Sequence, residues 1–514
     1  MSKTKLKNIE SVAIELKNKF NCTNDEQLKI GVIVCADNFD ENSHAMTLGN
    51  MIKNQVLKNN ADAEIVCIPS LNERFRIFNA QNYVLSAYKN QVANMLELVN
   101  SEKKFDGVVF VSNGFHASIG CLVSSIRLNL PTLVLPVGLS NRTNGNNLLD
   151  VLSLPGKIAV GEKSVYDLTD NINSFCEYAG SGATFNSENL FNIILEIMEL
   201  VPKNSSTTNA QSFLKISQAR EVASNIVRLT QNRLPLKKMI NRKSLQNALS
   251  LNFCLGGNPT IIDALSTLAL EADLDFDMEK VLSQSKNYPV LFNTNLGLNT
   301  YINYGGTWAL VKAMIQQKLI DGSYKTFADS TLLDETKNTK DCEAFLKPIK
   351  KASICVLRGN IAERYAVVKT LNLPEETSKI EGNIKVFNSD EECCNAILAK
   401  NIIDGDIIVI KNCGKGSSTG CSLICLSPLA IKSMGIEATI VTDGLCAEDI
   451  ATNCVSYVTT KPNSMGLKFL KDNDKIEIDF ARGKINVDIP SREMTLRQKK
   501  YIDEPVTLPK YLKK

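Results

Sequence analysis

Side chains able to do chemistry fall in five short stretches of this 514-residue chain. NGFHASIG at 113–120 holds His116 and Ser118. A histidine titrates near neutrality, so His116 suits a base or a metal ligand; beside Phe115 and Ala117 it equally suits packing within its loop. SFCEYAGSGATF at 174–185 is a small-residue loop with Ser181, running into a helix. Its backbone N–H groups can bind an anion, or the loop can be a tight turn that caps the helix. LRGN at 357–360 is a turn from which Arg358 and Asn360 offer donors to an anionic group, or a surface turn between two core segments. KNCGKGSSTGC at 411–421 carries Lys415, Ser417 and Ser418. It can cradle a phosphate or carboxylate, or be a flexible turn, and no GKS or GKT ends it as in a P-loop. TDGLCAEDI at 442–450 supplies Asp443.

Metal chemistry has few ligands to draw on. There are two histidines, His44 and His116, so a mechanism needing two must use both. The 15 cysteines include no CxxC pair. Cys413, Cys421, Cys425 and Cys446 form the tightest grouping, and their spacing is not a standard zinc or iron–sulfur pattern. Cys22, Cys35, Cys67, Cys121, Cys254 and Cys355 sit in apolar or helical contexts and read as small core residues. In a cytoplasmic protein most of these thiols stay reduced. No metal ligand set is assigned.

The elements that must position these stretches follow two patterns. Apolar runs at 29–36, 63–69, 106–112 and 128–137 alternate with amphipathic helices at 45–58 and 82–101. Such alternation predicts a mostly parallel α/β sheet. Sites in parallel sheets lie at the carboxyl ends of the strands, which places the loop 113–120 where it can act. NSSTTN at 204–209 reads as a polar linker, with helices following through 240. A Gly-Gly turn opens a helix at 256–271 and another at 305–306. The polar segment 337–350 marks a boundary between an α/β domain, 1–340, and a second domain, 341–514. There the pattern changes to strands at 384–387, 406–411, 438–442, 455–458, 475–480 and 484–489, with a hairpin across Arg482–Gly483. The second domain is predicted to be β-rich and barrel-like or a sandwich. Hydrophobic residues make up 44% and charged residues 22%, as in globular chains, and the net charge of +3 gives no case for a nucleic-acid or membrane partner. The opening twenty residues read as a mixed-charge amphipathic helix rather than a signal peptide, and the protein is expected to be cytoplasmic.

LRGN at 357–360 with AVVK at 366–369 resembles the LRGN…GAVVK signature of the dihydroxy-acid dehydratase and phosphogluconate dehydratase family. The likeness runs from about 28 to 495 and includes LGG at 255–257, VFNSDEE at 386–392 before DGDIIVI, and TDG at 442–444. It implies a hydro-lyase acting on a dihydroxy acid or sugar acid, in branched-chain amino acid or sugar-acid metabolism. It also implies an iron–sulfur cluster, magnesium and a homodimer. The positions it assigns to chemistry are occupied otherwise. The family's CDK, with its cluster Cys, magnesium Asp and carbamylated Lys, aligns with Gly114, Phe115 and His116; only Gly120 of that motif persists. A second cluster Cys falls on Gly182, beside the matching Cys176 and 179–181. The metal-binding Glu falls on Cys413, with Gly414 and Gly420 retained. The base Ser falls on Ala447 and a nearby Arg on Leu445, while SPEA becomes TTKP at 459–462.

Three readings follow. One is a non-catalytic relative that keeps the fold and binds a small hydroxy acid or sugar acid, with no cluster or magnesium. A second is an active lyase with a rebuilt site using His116, Asp443 and 417–419. A third is an ordinary dehydratase in which Cys413, Cys421, Cys425 or Cys446 replaces the lost ligands. Candidate ligand-binding residues are Ser118, Ser181, Arg358, Asn360, Lys415, Ser417 and Ser418, and candidate catalytic residues are His116 and Asp443.

Overall fold

The computed structural model describes residues 27–36, 43–71, 82–112, 114–140, 148–174, 180–182, 184–323, 330–373, 378–414, 423–446, 450, 452–461 and 466–501. The opening helix expected from the sequence lies outside them. Four strands, β1 (Lys29–Ala36), β2 (Asp62–Pro69), β3 (Gly107–Ser112) and β4 (Thr132–Pro136), pair in parallel in the order β2-β1-β3-β4. β1, β3 and β4 are near-continuous apolar runs because helices cover both faces. Between them run α1 (His44–Lys58), α2 (Asn82–Lys103) and α3 (Phe115–Arg127). Ser43 caps α1, its side chain accepting from Met46 N at 3.2 Å. α3 is buried almost all round and packs closely on α2. A Cβ at Gly120 would sit 2.5 Å from the Lys89 carbonyl oxygen, so only glycine allows that approach.

Further helices complete this half, among them α4 (Ser187–Ile197), α5 (Phe213–Gln231), α6 (Arg242–Cys254), α7 (Pro259–Glu271) and α8 (Gly306–Gln316). The Gly-Gly pairs lie before α7 and at the start of α8, as the sequence predicts. The segment 204–209 is not a linker. Ser205, Ser206 and Thr208 are buried, with 0%, 2% and 7% of their surface exposed. Ser206 donates to the buried Glu196 of α4, Ser205 accepts from the buried Lys215 of α5, and Thr208 accepts from Gln218, a use that composition does not distinguish from solvation.

The second half is a closed eight-stranded barrel rather than a sandwich. Its strands are β5 (Ile354–Gly359), β6 (Ala362–Lys369), β7 (Lys379–Phe387), β8 (Ile407–Ile410), β10 (Thr439–Thr442), β12 (Asn453–Thr459), β13 (Lys475–Asp479) and β14 (Lys484–Val487). Their order is β10-β12-β6-β5-β14-β13-β7-β8. Short β9 (Leu423–Ile424) and β11 (Leu445–Cys446) pair beside it. β13 and β14 form the expected hairpin. Outside the barrel lie α9 (Asp390–Leu398) and α10 (Leu426–Met434). The buried Asp390 carboxylate caps α10, accepting from the N–H groups of Cys425, Leu426 and Ser427 at 2.8–2.9 Å.

The LRGN turn closes the barrel. β5 meets β14 through a single parallel pair, Lys484 with Arg358. Asn360 extends that seam with its side chain, donating to Val487 O at 2.8 Å and accepting from Val487 N at 2.9 Å. Its own N–H donates to Asn486 Oδ1 at 3.0 Å. A Cβ at Gly359 would lie 1.6 Å from Ile485 O, which leaves no room for a side chain. Asn360→Ala is expected to cost about 1–3 kcal/mol in chemical denaturation, the range for orphaning buried backbone groups. Gly359→Ala is expected to cost more than Asn360→Ala, because β5 and β14 must separate to admit the methyl group.

Candidate functional site

His116, Ser118 and Ser181 come together at the carboxyl end of the parallel sheet. His116 is half-buried in the first turn of α3 just after β3, and its ring stands edge-on to Phe115 with centroids 5.1 Å apart. Phe115 is 7% exposed and meets Phe191 of α4 edge-on at 5.3 Å. The Ser118 hydroxyl donates to Gly114 O at 2.7 Å and pairs with the Ser112 hydroxyl, fastening the turn between β3 and α3. Ser181 donates its hydroxyl to Asn189 Oδ1 at 2.5 Å. Its backbone joins the chain after β4: Ser181 N donates to Gly138 O and Ser140 N to Ser181 O, both at 2.7 Å. The Ser140 hydroxyl beside it is buried without a partner among the described residues. His44, at the start of α1, reaches the same end of the sheet, with Nε2 3.2 Å from Val137 O.

Sequence reasoning missed two buried charges behind this floor. Lys215 of α5 has no exposed surface, and its ammonium donates to Ser205 O at 2.9 Å and Ser205 Oγ at 2.8 Å. Burial pushes its pKa down to about 7, opposed by the Glu196 charge. Glu196 of α4 is 1% exposed and accepts from Asn204 N and Trp308 Nε1, each at 2.6 Å, and from the Ser206 hydroxyl. Burial raises its carboxyl despite those bonds. Burial lowers the His44 imidazolium; the Val137 carbonyl opposes this and the Lys215 charge adds to it. The signal was present: Lys215 falls in phase with Ala219, Val222 and Ile226 on the buried stripe of α5, and Glu196 interrupts the apolar run Ile193–Ile197 that ends α4.

Asp443 follows β10 and is engaged by the segment after β8. Its Oδ1 accepts from Cys413 N at 2.9 Å, and the N–H groups of Asn412 and Gly414 also point to the carboxylate. A Cβ at Gly414 would come within 3.1 Å of the Asp443 carboxyl carbon. Burial, the largest influence, raises the Asp443 carboxyl above its usual range, and the backbone donors oppose it. Gly444 O accepts from Tyr457 N at 2.7 Å. Tyr457 is a second residue the sequence did not flag. It is 2% exposed with φ +55°, a conformation costly for an aromatic residue, at an irregular step in β12. Its hydroxyl donates to Asp263 of α7 at 2.9 Å, tying the barrel to the α/β half.

The remaining candidates lie elsewhere. Arg358 is exposed, donating to Arg364 O at 2.8 Å and pairing with Glu279 at 3.2 Å. Asn360 is used in the barrel seam. Lys415, Ser417 and Ser418 are outside the described residues, as are Thr419, Cys22, Cys176, Cys421, Ala447 and Pro462. Among the described residues, no three His, Cys, Asp or Glu side chains are placed to hold a metal ion. Cys446, one of the cysteines singled out in the sequence, is joined to Cys454 in a disulfide. Lys215 generates a pH prediction. Below pH about 7 the lysine is protonated in both folded and unfolded chains; from there to about 10.5 only the unfolded chain holds the proton, so stability rises with pH across that window. In Lys215→Met this rise is expected to shrink by at least about 1 kcal/mol, read from denaturation at pH 6.5 and pH 9.5.

The halves of this structure match known sequences separately and in order. Residues 29–335 match the dihydroxy-acid/6-phosphogluconate dehydratase N-terminal domain and residues 343–514 the C-terminal domain. A dihydroxy-acid dehydratase of Moorella thermoacetica is 25% identical over 447 residues, covering 83% of this chain and 81% of that protein. One of Archaeoglobus fulgidus is 24% identical over 438 residues, covering 82% and 80%. One of Maridesulfovibrio salexigens is 27% identical over 432 residues, covering 80% and 77%. With both domains matched, and with LRGN, the Gly-Gly turns and TDG each placed at a junction of the fold, the chain belongs to the dihydroxy-acid/6-phosphogluconate dehydratase family.

Proposed function

We propose that this family member binds a small hydroxy acid or sugar acid, acts as a homodimer, and does not dehydrate its ligand through an iron–sulfur cluster and magnesium. The observation that carries this reading is Phe115. The resemblance gives its position to a magnesium-binding aspartate, yet here the ring is buried and edge-on to Phe191. Magnesium requires hard oxygen donors, and this site presents an aromatic edge. Gly114 and Gly182, at the cluster positions, offer no side chain to iron. Cys413, at the glutamate position, donates its thiol to Lys411 O at 3.5 Å. These residues do not fit the groups the family uses. Without a Lewis acid, hydroxide leaves poorly and requires a well-placed strong acid.

Ligand recognition rests on the carboxyl end of the parallel sheet. His116 is partly open there, and the buried Ser140 hydroxyl has no partner among the described residues. A carboxylate or sugar hydroxyl is the ligand chemistry that such polar groups accept. Asp443 favours a second reading, a rebuilt hydro-lyase. Its raised carboxyl can hold a proton for a departing hydroxyl, in branched-chain or sugar-acid metabolism as the family likeness implies. Its engagement with the 412–414 backbone argues for a structural role instead. The two readings separate in one experiment: thermal melting with a panel of 2,3-dihydroxy acids and sugar acids, with 2-keto acid formation assayed in parallel. The binding reading expects a rise in Tm with at least one acid and no keto acid. Keto acid formed by protein free of iron would favour the rebuilt lyase, and no Tm shift with any acid would remove the binding reading.

A further inference from the structure

The segment bearing Asp443 is fastened to β12 at two points. One is the hydrogen bond from Tyr457 N to Gly444 O, 2.7 Å. The other is covalent: Cys446 of β11 is bonded to Cys454 of β12, with Cα atoms 6.8 Å apart at a sequence separation of 8. The same β11 pairs with β9, where Cys446 is in register with Ile424, directly after the 411–421 stretch. The bond therefore joins the ends of both polar loops of the barrel half to one core strand. Between those points Leu445 is 5% exposed and packs into the main core.

This bond stands apart from the rest of the chain's sulfur chemistry. Among the described residues, Cys67, Cys121, Cys254, Cys342, Cys355, Cys393 and Cys394 are thiols, which is not the pattern of a disulfide scaffold. Where most of the described cysteines are thiols, a disulfide beside a polar loop is the pattern of a redox-responsive pair. Exposure fits as well, since Cys446 is half-buried while Cys454 is 8% exposed. An external thiolate meets the Cys446 sulfur more readily than its partner.

We propose that Cys446 and Cys454 are a reversible thiol–disulfide couple that sets how firmly the Asp443 segment is held against β12. In reduction, one thiolate of a dithiol attacks the Cys446 sulfur and forms a mixed disulfide. The Cys446–Cys454 bond breaks, and Cys454 leaves as a thiolate that takes a proton. The second thiolate of the reductant then closes its own disulfide and releases Cys446, which is protonated in turn. The protein gains two electrons and two protons, and the dithiol loses the same. A small-molecule disulfide reverses the sequence. With the bond open, Gly444 keeps its hydrogen bond from Tyr457, and Asp443 keeps its bonds from 412–414. The change is a local loosening.

The proposal is independent of the ligand-binding reading, and its test uses no ligand. The full chain is equilibrated with oxidised glutathione or with dithiothreitol, alkylated with iodoacetamide and mapped by peptide mass. Amide hydrogen exchange is followed on both states. The expected result is a cross-linked Cys446–Cys454 peptide only in the oxidised sample. Exchange in 440–446 is expected to be faster by roughly tenfold after reduction, with the parallel sheet unchanged. Cys446→Ser and Cys454→Ser should each show the fast exchange without reductant. Full alkylation of both cysteines after oxidised glutathione would overturn the proposal. So would equal exchange of 440–446 in the two states, or a rise spread over the whole chain, which would make the bond a global staple.

Discussion

The Asp443 carboxylate is bound by the main-chain N–H groups of 412–414, and this contact fixes the loops that end two adjacent barrel strands. A carboxylate accepting backbone bonds in a half-buried place is held strongly, because each bond is charge-assisted. Through Gly444 and Tyr457 the same loop reaches β12, and through the Tyr457 hydroxyl it reaches Asp263 of α7. A short polar chain anchored at one aspartate is therefore one tie between the two halves, beside the Arg358–Glu279 ion pair and the packing of Ile354 and Tyr365 into the main core. The positive φ of Tyr457 is the local cost of that junction, sustained by bonds at both ends of the residue.

The residues that carry the family likeness have a shared physical role. Gly120 admits the Lys89 carbonyl, Gly359 admits the Ile485 carbonyl, and Gly414 admits the Asp443 side chain. Asn360 completes the barrel seam, and Asp390 of the VFNSDEE run caps a helix. Each is required by close approach or by an otherwise orphaned backbone group. The likeness thus reports the path of the backbone. It says little about the reaction, because the positions the family gives to chemistry are free to change without disturbing these contacts. That separation is compatible with the proposed reading of a scaffold kept for binding.

Much of the architecture was legible in the sequence because it rests on local signals. The apolar runs at 29–36 and 106–112 are buried on both faces and read as strands at once. The alternation across Arg482–Gly483 specified its hairpin, and the Gly-Gly pairs marked the starts of two helices. The candidate site was less legible. NSSTTN looks solvated, yet its hydroxyls and backbone answer Glu196 and Lys215, partners that lie outside it in sequence. Asn360 looked like a donor at an exposed turn, but its amide spans to β14 more than a hundred residues later. The Cys446–Cys454 bond follows from the fold of β11 against β12, and nothing in an eight-residue spacing announces it. Contacts across long separations set these roles, and residue type alone does not encode them.

We propose that this dehydratase scaffold has outlived its iron–sulfur cluster. Iron and acid-labile sulfide analysis of protein purified without oxygen tests it most directly. The expected result is colourless protein with iron and sulfide far below one equivalent per chain. A brown preparation with stoichiometric iron and sulfide would contradict it.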